Sequence, residues 1–346
     1  MCYFTLKNVK TLNMKQVLSV SVKTIFTLSV AALAGCAVLA DRQSAARISA
    51  AERKFPPMGQ FIDVNGRKVH AVVAGNGPNV VLIHGAGGNS REFTFAFMDL
   101  LTNRYRVIVF DRPGLGFTER ASKEFEGAFN ASAESPSEQA AMLQAAAAQL
   151  GAEMPIVVGH SYGGSVALSW AMDHPNNVAG VVNIAGPSHP WPGNLSAYYK
   201  LNGSAIGGAL VPPLIAAFAT SSQIKSAVED IFTPQSVPDG YIDFIGATLT
   251  MRPESFRANA RQVNTLHPHI IQMSTRYSSE LTVPLEIIHG NLDTTVPLNI
   301  HSIPLKLAVP HANLTILEGI GHMPHHTAPE VVEAAINRIA EQKRLR

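Results

Sequence analysis

Gly159-His160-Ser161-Tyr162-Gly163-Gly164 is the stretch that decides the fold, because it lies where an apolar strand gives way to a helix. The residues before it, Pro155-Ile156-Val157-Val158, are typical of a short, buried parallel strand. Residues 165–172 place apolar side chains at helical spacing, and His174-Pro175 ends that pattern. Ser161 is therefore predicted to stand in a sharp turn between a strand and a helix.

Such a turn holds the serine hydroxyl at the carboxyl end of the strand, above the amide N–H groups that open the helix. Gly159 and Gly163 let the strand and the helix approach each other closely. The G-x-S-x-G spacing is that of a nucleophile elbow, in which a serine attacks a carbonyl carbon. The same letters also occur in ordinary glycine turns, and the flanking strand and helix favour the elbow.

Composition limits what the remainder of the chain does. The 346 residues are 46% hydrophobic and 15% charged, which suits a globular body with an added apolar segment. The formal net charge is +2, but residues 1–54 hold eight Lys/Arg against two Asp/Glu, so the body carries −4 and has no basic nucleic-acid surface. Cys2 and Cys36 are the only cysteines, which excludes disulfides and cysteine catalysis from the body.

The N-terminal region predicts membrane attachment. Lysines at positions 7, 10, 15 and 23 precede Thr24–Ala40, a run of seventeen residues without a charge. A basic region followed by an apolar one is typical of an export signal or an anchor with a cytoplasmic N-terminus. We interpret residues 1–40 as this signal or anchor, and residues 41–57, which end in Pro56-Pro57, as a tether.

Two interpretations of this segment stay open. Leu33-Ala34-Gly35-Cys36 resembles the lipobox of bacterial lipoproteins, in which the cysteine becomes lipidated after cleavage, and Met14 would then be a suitable start. Alternatively, Cys36 is a small apolar residue in an uncleaved anchor. Both interpretations predict a membrane-associated protein that faces outward from the cytoplasm, in a bacterial periplasm or cell envelope.

From residue 58 onward, strand and helix patterns alternate. The Asn65-Gly66 pair predicts a hairpin. The predicted strands are 61–64, 67–74, 79–83, 106–110, 155–158, 178–184, 284–288 and 313–317, and the predicted helices are 91–101 with Ser90 as N-cap, 136–150, 165–172, one near 298–308, and 328–342. This alternation argues for a parallel, doubly wound sheet.

The alternation lapses between residues 187 and 283, where short apolar helical patterns are mixed with prolines and glycines. We interpret this stretch as a helical cap inserted between two parts of the core, 58–186 and 284–346. Four aromatic residues of the cap are expected near a pocket: Trp191, Tyr198, Tyr199 and Tyr241.

Loops at the carboxyl ends of parallel strands converge, so polar residues there are expected to meet. A serine hydroxyl needs a neighbouring base, and His322 is preferred because it follows the last strand beside Gly321. His325 and His326 are expected to begin the next helix and to be solvated. Asp293, in the preceding loop, would fix the tautomer of the imidazole. The sequence therefore predicts Ser161, Asp293 and His322 as catalytic residues.

An attacked carbonyl becomes an oxyanion and needs preorganised donors. The backbone N–H of Tyr162 is one candidate; the N–H of Ala86 is the second, with Gly87 as the fallback. His84 is expected to be structural, and Asp111 and Arg112 are expected to form an ion pair that stabilises their turn.

Taken together, these motifs resemble the α/β-hydrolase superfamily over nearly all of residues 60–343. The matching stretches are His84-Gly85-Ala86-Gly87-Gly88, Asp111-Arg112-Pro113-Gly114-Leu115-Gly116, the elbow, the Asp293 loop and Gly321-His322. The resemblance implies an α/β fold with an eight-stranded, mostly parallel sheet, a helical cap after strand six, and a metal-free Ser-His-Asp site beneath the cap.

A serine at the nucleophile position argues against similar epoxide hydrolases and haloalkane dehalogenases, which place an aspartate there. The leading hypothesis is a capped serine hydrolase of the esterase or haloperoxidase-like type that cleaves a carboxylic ester or lactone through an acyl-serine, without a cofactor. The alternatives are carbon–carbon hydrolysis of diketone-like substrates, perhydrolysis, and a non-catalytic ligand sensor. The expected partners are a small ester and a membrane, and nothing in the sequence specifies an oligomeric state or an acyl chain length.

Overall fold

The computed structural model describes Thr27, Ser29, Gly35 and residues 38–345. Cys36 and most of the predicted signal or anchor segment lie outside these residues. Among the described helices, none taken singly is both long and apolar enough to cross a bilayer. One pair, Ala197–Gly203 with Ala205–Phe218, meets the length and composition requirement together, but its two halves are bent by 103°.

Eight strands form one sheet. They are β1 (Gln60–Val64), β2 (Arg67–Ala74), β3 (Asn79–Ile83), β4 (Arg106–Phe110), β5 (Ile156–His160), β6 (Gly180–Ile184), β7 (Leu285–Gly290) and β8 (Asn313–Leu317). Their order is β1-β2-β4-β3-β5-β6-β7-β8. Strand β2 runs antiparallel to β1 and β4, and the other neighbouring pairs are parallel. The predicted hairpin and mostly parallel sheet are confirmed.

Helices surround this sheet. They are α1 (38–54), α2 (Arg91–Thr94), α3 (Phe97–Leu101), α4 (Pro136–Gln149), α5 (Tyr162–Asp173), α6 (Ala197–Gly203), α7 (Ala205–Phe218), α8 (Ser221–Phe232), α9 (Tyr241–Phe244), α10 (Ala247–Thr250), α11 (Pro253–Ser274), α12 (Tyr277–Glu280), α13 (Ser302–Ala308), α14 (Pro324–Thr327) and α15 (Pro329–Gln342). Seven of them, α6–α12, lie between β6 and β7. The predicted helical insertion after strand six is therefore present.

Helices on both faces explain why the central strands are apolar throughout. All five residues of β5 and of β6 are buried. One hydrophobic cluster joins the sheet to α4 and α5, and a second joins it to α3 and α15. Strands that are buried on both faces have no solvent-facing side, so their sequences are runs of Val and Ile without alternation.

The predicted helix over 91–101 is wrong in detail, because the structure has two short helices there. Ala96 separates α2 from α3 with φ −155°, which is not helical. Ser90 makes no side-chain cap hydrogen bond. Its N–H donates instead to Asp111 Oδ1 at 2.6 Å. The loop after β4 therefore fixes the backbone at Ser90, where the sequence predicts a side-chain cap.

The helices of the cap pack on one another, and one of them is bonded to α1. Helix α11, the longest of the cap, packs on α6 and α7. Arg47 of α1 donates to the carbonyl oxygens of Ala219 (2.7 Å) and Ala216 (3.4 Å), at the C-terminal end of α7. A guanidinium at a helix C-terminus satisfies carbonyls that have no partner within the helix. The N-terminal helix is thereby joined to the cap.

Candidate active site

Ser161 stands between β5 and α5 in a backbone conformation that non-glycine residues rarely adopt. Its φ is 51° and its ψ is −124°. The conformation is held by two main-chain hydrogen bonds: the N–H of Ser161 donates to Ile184 O at 2.9 Å, and its carbonyl accepts from Gly164 N–H at 2.8 Å. Backbone strain of this kind costs about 1–3 kcal/mol and persists where the surroundings impose it.

The two glycines of the motif are required by contact distances. A Cβ atom on Gly159 would lie 2.1 Å from the carbonyl oxygen of Gly163. A Cβ atom on Gly163 would lie 2.2 Å from the carbonyl oxygen of Ile83 on β3. Both obstacles are backbone atoms, which cannot rotate away. The turn therefore forms only with hydrogen at these two positions.

His322 and Asp293 come together at the carboxyl edge of the sheet. His322 follows β8 and Asp293 follows β7, and Nδ1 of the imidazole lies 2.7 Å from Oδ2 of the carboxylate. The other oxygen, Oδ1, accepts from the backbone N–H groups of Thr295 (2.8 Å) and Val296 (2.9 Å). Both side chains are almost completely buried. The imidazole is thus oriented through Nδ1, and Nε2 is left for chemistry.

His289, a residue that the sequence analysis did not single out, also contacts Asp293. Its Nε2 lies 3.2 Å from Asp293 Oδ2 and 2.7 Å from Val296 O, and its Nδ1 lies 2.6 Å from Ser302 Oγ. Burial alone would raise the pKa of Asp293, but hydrogen bonds from His289 and His322 outweigh burial and hold the pKa well below its usual value. Asp293 is therefore ionised at neutral pH.

His322 is connected to the elbow through the residue before the serine. His160 Nε2 lies 2.9 Å from the backbone carbonyl oxygen of His322, and the two ring centroids are 4.9 Å apart. Among the described residues, neither Ser161 Oγ nor His322 Nε2 has a hydrogen-bond partner, so the structure does not join the two atoms directly. Catalytic hydrogen bonds are often long before substrate binds and shorten in the complex.

Behind His160 lies a buried carboxylate that the sequence did not indicate. Glu92 Oε1 lies 2.7 Å from His160 Nδ1, and both side chains are buried. Burial would lower the pKa of His160, but the carboxylate outweighs it and raises this pKa. The imidazole in turn lowers the pKa of Glu92, against the effect of burial. The pair therefore favours the charged form of the His160 ring, which lies next to His322.

Burial lowers the pKa of His322 below its ordinary value, although the hydrogen bond to Asp293 opposes this, and the charge of His160 lowers the pKa further. His322 is therefore neutral at pH 7 and can accept a proton.

The expectation that His325 and His326 are solvated is wrong. They do begin the next helix, α14, but His325 is only 1% exposed and His326 is partly buried. The ring of His325 packs 4.4 Å from that of His160 and 4.9 Å from that of Phe93. Burial keeps the pKa of His325 well below its ordinary value, so this ring is neutral.

Glu92, His160 and His325 also form a group whose potential metal-ligand atoms all lie within 4.8 Å of one another. Both ring nitrogens of His160 already face acceptors, Nδ1 at Glu92 Oε1 (2.7 Å) and Nε2 at the carbonyl oxygen of His322 (2.9 Å), so neither is left for a metal. The three residues are therefore better described as a hydrogen-bonded pair, Glu92 and His160, beside the neutral ring of His325 than as a metal centre.

The candidate oxyanion donors lie on the same cavity as the serine. Ala86 and Tyr162 line it together with Ser161, and in the described part of the chain neither backbone N–H has an acceptor. The fallback donor, Gly87, is already engaged, because its N–H donates to Asn259 Oδ1 at 2.7 Å. Thr250 Oγ1 donates to the carbonyl of Gly87 at 2.6 Å. Two cap residues therefore hold the loop that carries Ala86.

His84, Asp111 and Arg112 have structural roles, as expected, but the predicted ion pair is wrong. Asp111 accepts from His70 at 2.8 Å, and Arg112 donates to Gly85 O and Gln262 Oε1. His84 Nε2 accepts from the backbone N–H of Arg112 at 2.9 Å. Each residue thus fixes a loop through a partner distant in sequence.

The cavity over the serine has a volume of about 360 Å³. Its cap side is mainly apolar and includes Trp191, Leu195, Tyr199, Val263 and Leu266. The pocket expectation is met for Trp191 and Tyr199, whereas Tyr198 is exposed and Tyr241 is buried in a separate cluster with Phe232. Pockets of this size and lining bind small, largely apolar molecules.

Comparison with known proteins identifies chains of the same fold. A sequence profile of the alpha/beta hydrolase fold matches residues 78–202. Pimeloyl-[acyl-carrier protein] methyl ester esterase of Vibrio atlanticus is 26% identical over 262 residues, which cover 74% of this chain and 91% of that protein.

A 2-hydroxy-6-oxononadienedioate/2-hydroxy-6-oxononatrienedioate hydrolase of a Pseudomonas species is 25% identical over 283 residues, 76% of this chain and 89% of that protein. The crystal structure of a bacterial membrane phospholipase A superposes with a TM-score of 0.61 at 20% identity, covering 96% of this chain and 99% of that one. From its strand order, its elbow and these matches, we conclude that the chain belongs to the α/β-hydrolase superfamily.

Proposed function

We propose that this α/β hydrolase is a serine hydrolase that cleaves a carboxylic ester or lactone through an acyl-serine intermediate. The observation that carries the proposal is the 2.7 Å contact between His322 Nδ1 and Asp293 Oδ2, at the same sheet edge as the elbow serine. Among the described residues that line the cavity, Ser161 is the hydroxyl at a strand end. His322, at the same edge of the sheet, carries a buried imidazole that is neutral at pH 7.

In the first half-reaction, Ser161 Oγ attacks the carbonyl carbon while His322 Nε2 accepts the hydroxyl proton. The N–H groups of Ala86 and Tyr162 stabilise the oxyanion. Collapse of the tetrahedral intermediate breaks the ester C–O bond, and the imidazolium returns the proton to the leaving alcohol. Water then attacks the acyl-serine with His322 again as base, which releases the acid and restores Ser161.

The apolar cap side of the cavity supports an apolar acyl or alcohol group in the substrate. The volume of about 360 Å³ favours small to medium esters. The likeness to the pimeloyl methyl ester esterase points in the same direction, because that relative is named for ester cleavage.

Carbon–carbon hydrolysis of a diketone-like substrate is the second candidate. It is favoured by the likeness to the Pseudomonas 2-hydroxy-6-oxononadienedioate hydrolase, which is named for such a substrate. A spectroscopic assay on vinylogous diketones separates the two candidates, since turnover of these compounds without ester cleavage would select the second.

We further propose that residues 1–40 hold the enzyme at a membrane, with the body facing outward from the cytoplasm. The attachment is either a lipid on Cys36 or an uncleaved anchor, and mass spectrometry of the N-terminal peptide distinguishes them. Recovery of the full-length protein in the soluble cytosolic fraction would contradict both.

The deciding experiment for catalysis is labelling with a fluorophosphonate, which reacts with activated serines. Wild type should be labelled and Ser161→Ala should not. Ser165→Ala is the matched control, because Ser165 lies in the first turns of α5, directly after Ser161, and its hydroxyl donates to Pro187 O at 2.6 Å outside the proposed chemistry. Equal labelling of wild type and Ser161→Ala would overturn the proposal. A panel of aryl esters of increasing chain length would then define the acyl preference.

A further inference from the structure

Helix α7 carries a row of large apolar side chains that face solvent. Ile206, Leu210, Leu214 and Phe218 follow one another at four-residue intervals and are each between 48% and 69% exposed. Residues four apart lie on the same face of a helix, so this row runs along the whole of α7. Single exposed apolar residues are common in proteins, whereas a continuous row marks an interaction surface.

The apolar surface extends onto the preceding helix and adjoins the candidate active site. On α6, Tyr198 and Leu201 are 49% and 53% exposed. Tyr199, which directly follows Tyr198, lines the cavity over Ser161. Helix α6 therefore has the cavity on one side and the apolar surface on the other. We call the exposed residues of α6 and α7 the cap face.

The charges around the cap face favour a lipid surface. Residues 197–218 contain no Asp or Glu and a single basic residue, Lys200, which is exposed. Helix α8, which follows directly, carries Glu229 and Asp230. An apolar helix face without carboxylates can approach the headgroups of anionic lipids without charge repulsion.

The position of the N-terminal helix supplies the second, independent argument. Arg47 of α1 bonds to Ala219 O, one residue beyond Phe218, at the end of the apolar row. Ala40, where the predicted apolar run ends, precedes Arg47 by seven residues, or about 10 Å of helix. The chain that leads to the predicted membrane segment thus joins the body beside the cap face.

We propose that the cap face rests on the bilayer that holds the N-terminal segment, with the apolar row of α7 in the interface. This proposal rests on the membrane tether of the proposed function, and it goes beyond that function in giving the body a fixed orientation. The wall of the cavity formed by α6 then borders the lipid. An apolar ester dissolved in the membrane would reach Ser161 along α6, so the substrate class is a lipid-dissolved ester.

The first test places a tryptophan on the cap face of the full-length chain. Leu210→Trp and Leu214→Trp are reconstituted in vesicles of phosphatidylcholine and phosphatidylglycerol (3:1) whose acyl chains carry bromine, which quenches indole fluorescence on contact. Leu307→Trp is the matched control, because Leu307 lies on α13 and is also a highly exposed leucine. Trp170 and Trp191 give the same background in every variant.

The fraction of fluorescence lost on going from plain to brominated vesicles should be at least twofold larger in the two cap-face variants than in wild type. In Leu307→Trp this fraction should equal that of wild type. Equal quenching at positions 210, 214 and 307 would overturn the proposal. Shielding of positions 210 and 214 from aqueous acrylamide without bromine quenching would also overturn the proposal. If dilution then abolishes the shielding, a second copy of the chain covers this face instead of lipid.

The second test measures turnover. The double variant Leu210→Glu/Leu214→Glu should lose at least tenfold in rate on an apolar medium-chain ester dissolved in vesicles and keep its rate on a water-soluble ester. Leu307→Glu should change neither rate. Retention of the vesicle rate would contradict delivery through the cap face. Bromine quenching requires no turnover, so failure of the docking proposal and failure of the proposed serine chemistry are distinguishable.

Discussion

His322 Nδ1 lies 2.7 Å from Asp293 Oδ2 although the two residues are 29 positions apart in the chain. The contact exists because β7 and β8 are parallel neighbours, so the loops that follow them leave the sheet at the same edge. It fixes the tautomer of the imidazole, since a carboxylate accepts from Nδ1–H and leaves Nε2 unprotonated. The first prediction concerns this bond.

Replacing Asp293 with Asn is expected to lower kcat by about 10³- to 10⁴-fold, because an amide that donates to Nδ1 holds the imidazole in the wrong tautomer. Steady-state kinetics on an aryl ester measures this. Asp63→Asn, which keeps the side-chain oxygen that accepts from Gly66 N–H in the hairpin turn, should retain full kcat. A kcat of Asp293→Asn within threefold of wild type would show that another group orients His322.

The pH dependence of kcat/KM should have an acidic limb below the ordinary histidine pKa of about 6.5. Burial lowers the pKa of His322, and only the neutral imidazole accepts the serine proton. Activity is therefore present above this pKa and is lost as the pH falls through it. A limb centred above 6.5 on a non-ionisable ester would contradict the assignment of His322 as the base.

Glu92→Gln should move that acidic limb to higher pH. Without the carboxylate, His160 loses the interaction that raises its pKa, so its positive charge is less favoured and lowers the pKa of His322 less. Glu286→Gln is the control, because Glu286 is also buried but pairs with Arg338 at the opposite end of β7. It should reduce thermal stability and leave the limb in place. An unmoved limb in Glu92→Gln would show that the buried pair only stabilises the fold.

Asn259→Ala should lower kcat by about 10- to 100-fold with a smaller change in KM, because displacing a catalytic donor by about 1 Å has effects of this size. Asn259 Oδ1 holds the N–H of Gly87, next to the candidate donor Ala86. Asn264→Ala is the matched control, since Asn264 lies on the same helix beside Gly203 of α6. Equal kinetics in the two variants would show that the contact of Asn259 with Gly87 does not position the oxyanion donor.

Gly163→Ala should lower the free energy of unfolding by more than about 4 kcal/mol, or prevent folding, because the new Cβ would lie 2.2 Å from Ile83 O. Gly127→Ala is expected to cost only about 1–3 kcal/mol, since Gly127 has a φ of +94° but no atom within 4 Å of the added Cβ. Chemical denaturation measures both. Similar losses would show that the elbow can move away from β3.

The sequence predicts the sheet and the Asp293–His322 contact well, because these follow from local patterns and from the convergence of strand ends. The elements with continuous Val and Ile, such as β5 and β6, are placed within two residues. What the sequence could not predict are partners set by tertiary packing. Nothing near Glu92 indicates that it pairs with His160, and Asn259 shows no local sign that it reaches Gly87.

The three histidines that follow β8 show the same limit. The sequence around them does not indicate which of the three rings, those of His322, His325 and His326, are buried. The burial of His325 depends on Phe93 of α2 and His160 of β5, which are distant from it in the sequence. A periodic pattern in the following helix, α15, marks its apolar face but says nothing about the short α14 that precedes it.

The polar contacts of α11 have a consequence for how such enzymes diversify. Gln262 donates to Pro113 O at 2.8 Å and Arg261 donates to Ala128 O at 2.7 Å, so this helix is fastened to the core, while α6 and α7 pack on α11. If the proposed ester hydrolysis holds, substitutions in α6 and α7 are therefore expected to change chain-length preference more than turnover rate. Helices α6 and α7 can therefore vary in evolution while Asn259 of α11 keeps its contact with the Gly87 loop.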